Sequence, residues 1–390
     1  MVDPTADGRA IRAAGTERLK PPSDLVLPHC TCHVSRMLSP GAEASLDTQL
    51  DRWWRERDLS GTVLMTRAGS TVFERCYGLA DRATAIPITP KTRFGMASIT
   101  KLFTAVAVAD CVSAGLLRFD DAVVEVLPAQ RRPATLRRDV TVHHLLTHSS
   151  GIADYAEEDE KSPGYVEDYG ALWRERPSYR MLRPADFLPL FGDLPPYRPP
   201  GQRWQYSNAG YVLLGLVIEE VSGQAYPDFV QERVFDRAGM TSSGFFRLDE
   251  ARPNVAIGYL PRRSPDATWR SNIYRVPVIG GADGGAFSTA RDLDRFLHRV
   301  TDGTLLGPMQ DIVLARHVEA GDGFHRGYGF LHYPDGRYGH GGSDPGVEVL
   351  LHRFPEDDVN LVVLCNMEGL AGEVRDAMVE AWRRPDHPSR

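Results

Sequence analysis

Residues 97–117, ASITKLFTAVAVADCVSAGLL, constrain the fold more than any other part of the chain. Their apolar side chains Ile99, Leu102, Phe103, Val106, Val108, Val112 and Leu116 cover nearly the whole circumference of a helix. A helix that is apolar all round has no face for water and must be buried. The rest of the chain therefore has to wrap it. Before it, GTVLMTR and TVFERCYG, separated by AGS, read as a hairpin. Near the C-terminus, RGYGFLHY, GVEVLLHRF and VNLVVLCNM also read as strands. LDTQLDRWWRER, from Leu46, and AGEVRDAMVEAWRR are helical in pattern at the two ends.

Between residues 119 and 254 the pattern is mainly helical with long loops. VTVHHLLTHSSG reads as a short helix ending at Gly151. SNAGYVLLGLVIEEVSG reads as a longer one ending at Gly223, with Asn208 near its start. Strands at both ends with helices between imply a discontinuous α/β domain, 44–118 and 255–390, carrying a helical domain, 119–254. The acidic, aromatic stretch 152–200 is expected to roof a pocket. Residues 1–43 lack apolar periodicity and read as an extension, with partial disorder expected there.

Charge excludes some functions. With 45 basic against 52 acidic residues the net charge is −7, so no basic surplus marks a nucleic-acid partner. No run approaches the roughly 18 apolar residues of a membrane span. The N-terminal 24 residues, as written, contain no apolar core of an export signal, so a cytoplasmic location is expected. Five cysteines are too few and odd in number for a disulfide framework. His29, Cys30, Cys32 and His33 resemble metal ligands, but four ligands within five residues are sterically awkward for tetrahedral zinc. No metal or cofactor is expected. The partner expected is a small molecule or short peptide; oligomeric state is not legible.

Only four of the 45 basic residues are lysine: Lys20, Lys91, Lys101 and Lys161. Arginine cannot give up its proton in a protein, whereas a desolvated lysine can. Lys101 lies three residues after Ser98 at the start of the buried helix, where the two side chains share a face. A buried amine can accept the serine proton. Read blandly, Ser98 is a helix cap. Tyr206 and Asn208 flank Ser207 before the second long helix. A lysine beside a tyrosine can lower the phenol's pKa and make it a proton relay. Read blandly, Tyr206 is an ordinary loop residue. His340, Gly341, Gly342 and Ser343 precede a strand, where glycines let a backbone edge come close to a substrate. His325, Arg326 and Gly327 are a rival triplet lacking the second glycine. No Gly-x-Ser-x-Gly elbow of an α/β-hydrolase occurs.

Taken in order, these motifs and their flanks resemble one family. FGMASITKLFTA, LLRFDDAVVEVLP, VTVHHLLTHSSGI, PGQRWQYSNAGYVLLGLVIEEVSG, GGAFSTARDLDRF and YGHGGSDPGVEV are similar to serine β-lactamase-like proteins. That group includes class C β-lactamases, D-alanyl-D-alanine carboxypeptidases, D-aminopeptidases and esterases. The resemblance runs from about residue 44 to the C-terminus. It implies a β-lactamase-like α/β fold, a mainly antiparallel sheet flanked by helices with an inserted helical domain. It implies a serine hydrolase in which Ser98 is acylated, Lys101 deprotonates it and Tyr206 relays protons. Asn208 would bind the substrate amide or steady Lys101. The backbone N–H groups of Ser98 and Ser343 would form an oxyanion hole.

His340 stands where many members of the family have lysine. A histidine of ordinary pKa, about 6.5, is mostly neutral at pH 8. The expected substrate is therefore a small ester or a D-amino-acid amide or peptide. A carboxylate-bearing substrate is expected to do better at pH 6 than at pH 8. A β-lactamase or D-Ala-D-Ala carboxypeptidase, an acyltransferase or peptide cyclase, and a non-catalytic penicillin-binding sensor are the alternatives.

Overall fold

The structure, a computed structural model, describes residues 38–264 and 266–383. The histidine–cysteine cluster at 29–33 lies outside the described residues. One antiparallel sheet of eight strands organises the described chain. Its strands are β1 (Gly61–Arg67), β2 (Ser70–Tyr77), β3 (Val318–Gly321), β4 (Phe324–Arg326), β5 (Leu331–His332), β6 (Tyr338–Asp344), β7 (Val347–Phe354) and β8 (Val359–Cys365). They lie in the order β2-β1-β8-β7-β6-β5-β4-β3. The N-terminal hairpin joins the C-terminal strands where β1 pairs with β8, from Gly61 opposite Cys365 to Arg67 opposite Val359. The hairpin turn, Ala68-Gly69, has both residues at positive φ, the two-residue geometry that matches strand twist.

Alternation along the strands sends successive side chains to opposite faces. Val63, Met65, Leu361 and Val363 pack with Leu46, Leu50 and Trp53 of helix α1 (Pro40–Arg57) and with Val374 and Met378 of helix α5 (Ala371–Arg383). Leu64, Val349, Leu351, Val362 and Leu364 face the other way, into the larger core. That core holds helix α2 (Thr100–Ser113), of whose 14 residues 11 are buried, as its all-round apolar pattern requires. Phe103 of α2 meets Phe235 and Phe296 edge-on at 4.9 and 5.0 Å. Helices α3 (Asn208–Ser222) and α4 (Ala290–Thr301) complete the layer. No helix among the described residues is long and apolar enough to cross a membrane.

Several boundaries differ from the sequence pattern. Helix α1 begins at Pro40, inside the stretch read as an extension. Ser39 caps it by accepting from the Ala42 N–H at 3.3 Å, and Leu38 is buried. Cap and proline start a helix without apolar periodicity, so the first turn shows no periodic signal. The helix expected to reach Gly151 spans only Val142–Leu146, because His148 turns the backbone left-handed at φ 56°. The segment RGYGFLHY is broken into β4 and β5 at Gly329, φ 79°. A Cβ there would stand 2.9 Å from the Ala105 side chain, so glycine lets this corner press on α2. Helix α3 starts with the Ser207 side chain accepting from the Gly210 N–H and ends at left-handed Gly223, as the sequence indicates.

Candidate active site

Ser98 sits in a single 3₁₀ turn, Ala97–Ile99, that leads into α2. Ala97 has φ 42°, a left-handed conformation that costs a non-glycine residue energy and persists only where the surroundings enforce it. Three hydrogen bonds do so. The Met96 N–H donates to the Ala286 carbonyl at 2.7 Å, the Gly285 N–H to the Ala97 carbonyl at 3.2 Å, and the Ala286 N–H to Thr100 Oγ1 at 3.0 Å. Strand β6 closes the other side. A Cβ on Gly342 would meet Met96 O at 2.7 Å and Ser98 N at 2.9 Å. Gly342 thus lets the strand approach the serine turn itself.

Four of the residues singled out in the sequence meet at one point. Lys101 Nζ lies 3.0 Å from Ser98 Oγ, 2.7 Å from Asn208 Oδ1 and 2.5 Å from the Asp283 backbone carbonyl. The Tyr206 hydroxyl donates to Ser98 Oγ at 2.6 Å. Asn208 heads α3, and its N–H and that of Ala209 donate to the Asp154 carboxylate, which thereby occupies the helix start. The Asn208 side-chain nitrogen donates to Glu158 at 3.4 Å.

Burial sets the proton affinities. Lys101 is fully buried, and loss of water pushes its pKa below the ordinary lysine value. The carboxylates of Asp283, Glu158, Asp154 and Asp344 oppose that shift from a distance. Asp154 and Asp344 are each pushed up to about 7, chiefly by burial. Tyr206 departs from the sequence expectation. Burial raises its pKa well above that of a free phenol, and the Ser98 bond and Arg326 only partly offset this. It is a neutral donor at rest.

His340 is also placed differently from its expected role. Its Nδ1 is bonded to the Gly341 carbonyl, and its Nε2 faces Arg326 Nη1 at 3.4 Å. Both ring nitrogens are occupied. Burial, with Arg326 and Lys101 nearby, lowers its pKa to about 3. The imidazole is therefore neutral at pH 6 and pH 8 alike, which removes the basis for a difference between them. The permanent charge comes from the rival triplet. The Arg326 guanidinium lies over the rings of Trp204 and Tyr206 at 5.1 and 5.7 Å, is 7% exposed, and has no carboxylate partner among the described residues.

Two cavities meet at Ser98, Ser343 and Glu158. One, of about 1000 Å³, runs past Asn208, Asp283 and Asp344, under Tyr169 and Phe187 of the 152–200 stretch. The other, of about 830 Å³, is walled by Trp204, Tyr206, Arg326, Tyr333 and His340. Among the described residues no group of three or more metal-binding side chains is assembled. Sequence reasoning missed Asp283, whose contribution is a main-chain carbonyl and carries no side-chain signal. It met Arg326 only as part of a discarded triplet.

The Gly342 contact yields a test. Gly342→Ala should cost about 1–3 kcal/mol of stability by overpacking. It should also slow labelling of Ser98 by a fluorophosphonate about tenfold or more, by pushing β6 off the turn. Gly95→Ala, whose Cβ would meet only Val347 and Phe287 at 3.5 and 4.0 Å, should keep the parent melting temperature. Equal behaviour of the two variants would contradict the close approach.

The chain matches the beta-lactamase family model over residues 46–381. It is 28% identical over 342 residues to penicillin-binding protein 4* of Bacillus subtilis (strain 168), covering 83% of this chain and 71% of that protein. It is 31% identical over 291 residues to esterase EstB of Burkholderia gladioli, covering 72% and 71%. The solved penicillin binding protein from Bacillus halodurans superposes with a TM-score of 0.78 at 39% identity, covering 86% of this chain and 99% of that one. By family model, relatives and fold, the chain belongs to the beta-lactamase family and is a serine hydrolase.

Proposed function

We propose that the chain hydrolyses a small ester or a D-amino-acid amide or peptide through an acyl-enzyme on Ser98. The observation that carries this reading is the set of partners around Lys101 Nζ. Asn208 Oδ1 and the Asp283 carbonyl can only accept, and the third partner is the Ser98 hydroxyl. A neutral amine has two N–H groups and one lone pair. The two acceptors take the N–H groups and leave the lone pair for the Ser98 proton. The Tyr206 hydroxyl already donates to Ser98 Oγ, so the serine proton has Nζ as its acceptor. Lys101 takes that proton as Oγ attacks the acyl carbon. The carbonyl oxygen turns into the N–H groups of Ser98 and Ser343. The Tyr206 O–H then delivers a proton to the leaving group and is resupplied from Lys101. Deacylation runs the same path with water. The esterase relative supports an ester substrate.

Mass spectrometry after a fluorophosphonate should find one label, on Ser98. Lys101→Arg should lose roughly 10²–10⁴-fold in kcat/KM, as much as Lys101→Ala, because arginine keeps its proton. The pH dependence follows from the shifts. A base whose folded pKa is lowered gains activity as pH rises through that pKa, below the ordinary lysine range. Tyr206, held above the free phenol value of about 10, should impose no fall before that pH. A label elsewhere, or an active Lys101→Arg, would contradict the mechanism.

Arg326 favours a second reading, in which the leaving group bears a carboxylate, as in a D-Ala-D-Ala peptide or an opened β-lactam. A buried guanidinium without an anion is a ready partner for one. A peptide ending in a free carboxylate and its C-terminal amide separate the readings. If the carboxylate is bound, Arg326→Met should lower kcat/KM for the free acid about tenfold or more relative to the amide. An unchanged ratio leaves the neutral ester or amide as substrate.

A further inference from the structure

His148 lies outside the Ser98–Lys101–Tyr206 contacts, yet three of its own contacts converge on Tyr206. Its ring stacks on the Tyr206 ring with centroids 4.6 Å apart and planes 29° apart. Its Nδ1 accepts from the Ser207 N–H at 3.0 Å. Its carbonyl accepts from the Gln205 N–H at 2.8 Å. Both chain neighbours of Tyr206 are thereby tied to one residue, and the phenol ring is pressed against the same residue's side chain. The left-handed backbone at His148, φ 56°, is what turns its carbonyl and its ring toward the same short segment. Tyr211, tilted against the imidazole at 5.0 Å, holds it from another side and is itself anchored by its hydroxyl on the Leu146 carbonyl at 3.0 Å.

We infer that His148 is the positioning residue that fixes the Tyr206 hydroxyl on Ser98 Oγ, and so sets how well a poor leaving group is protonated. This rests on the acyl-enzyme reading above. The segment 204–207 is irregular chain, with no ladder of its own to hold a phenol in place, and its residues 204–206 line the second cavity. A hydroxyl acting as a proton relay has to keep its 2.6 Å contact while the leaving group departs. The imidazole is suited to hold it. Because Nδ1 accepts, the neutral ring carries its proton on Nε2. Burial, with Arg326 and Lys101 nearby, keeps it from taking a second one. A charged ring in that stack would add a second cation beside Tyr206, next to Arg326 at 5.7 Å from its centroid.

A role in core packing alone and a role in positioning differ in one readout. An alkyl ester needs its departing oxygen protonated, whereas p-nitrophenolate leaves as a stable anion. The ratio of kcat/KM for an alkyl ester to that for the p-nitrophenyl ester of the same acid reports the relay and cancels any loss of folded enzyme. His148→Phe keeps an aromatic face and removes the acceptor. His148→Asn keeps an acceptor where Nδ1 stands and tolerates the left-handed backbone. The ratio should fall about tenfold or more in His148→Phe, with His148→Asn between it and the parent. The KM for the p-nitrophenyl ester should stay within about twofold. If His148→Phe does not fold, a lowered ratio in His148→Asn alone supports the inference. A parent-like ratio in the folded variants, or a parallel fall for both esters, overturns it while leaving Ser98 labelling in the parent intact. Absence of that label in the parent overturns the acyl-enzyme reading and this inference with it.

Discussion

Everything around the site follows from placing an amine in the dry centre of the molecule without a carboxylate in contact. Lys101 is the one fully buried lysine side chain among the described residues, and its three hydrogen-bonding neighbours are an amide oxygen, a main-chain carbonyl and a hydroxyl. Burying a charge without a paired counter-charge is expensive, so burial pushes the Lys101 pKa below the ordinary lysine value. Carboxylates stand one layer back, at Asp283, Glu158, Asp154 and Asp344. Asp154 receives helix N–H groups and the Asp283 side chain receives the Tyr155 hydroxyl, so neither is free to close an ion pair with Lys101. In the proposed mechanism, that separation leaves the lysine basic enough to take a proton and dry enough not to keep one permanently.

The fold can be understood as the support for that burial. Helix α2 needs a hydrophobic shell on every side, and the sheet face, α3 and α4 supply it. The strained turn at Ala97 then presents Ser98 at the lip of the shell, where Gly342 allows strand β6 to close against it. The same arrangement puts neutral histidines rather than ionic pairs around the tyrosine. His340 accepts from Arg326, and His148 accepts from Ser207. In each case an imidazole that burial keeps uncharged serves as a hydrogen-bond acceptor for a group that has to be held still. Arg326 lines the cavity on one side of Ser98, and Asp283 and Asp344 line the cavity on the other.

Much of this was legible before the structure, for reasons that differ by residue. The all-round apolar pattern of 97–117 reports burial directly, and the rarity of lysine in an arginine-rich chain draws attention to Lys101. Ser98, Tyr206 and Asn208 carry their chemistry in side chains at helix starts, where capping signals also mark position. Asp283 acts through its backbone carbonyl, which any residue possesses, so its type says nothing. Arg326 and His340 stand 14 positions apart, on β4 and β6, and their side chains meet across the short strand β5 that lies between them. The sequence reading gave the selecting role to the histidine because the arginine's proximity is a property of register. The start of α1 was missed because Ser39 and Pro40 begin a helix without apolar periodicity, and the Tyr206 shift was misjudged because burial outweighs a nearby cation.

The central claim is that Lys101 is an amine of depressed basicity, and the chain is well suited to measuring this. With four lysines in 390 residues, ¹³C-labelled lysine gives a spectrum in which each Cε can be assigned by single substitution. The account predicts that the Lys101 Cε signal titrates below the ordinary lysine value of about 10.4, and that the acid limb of kcat/KM has the same midpoint. A Lys101 signal that titrates at or above that value, with the acid limb elsewhere, would mean the lysine stays charged and that the Ser98 proton leaves by another route.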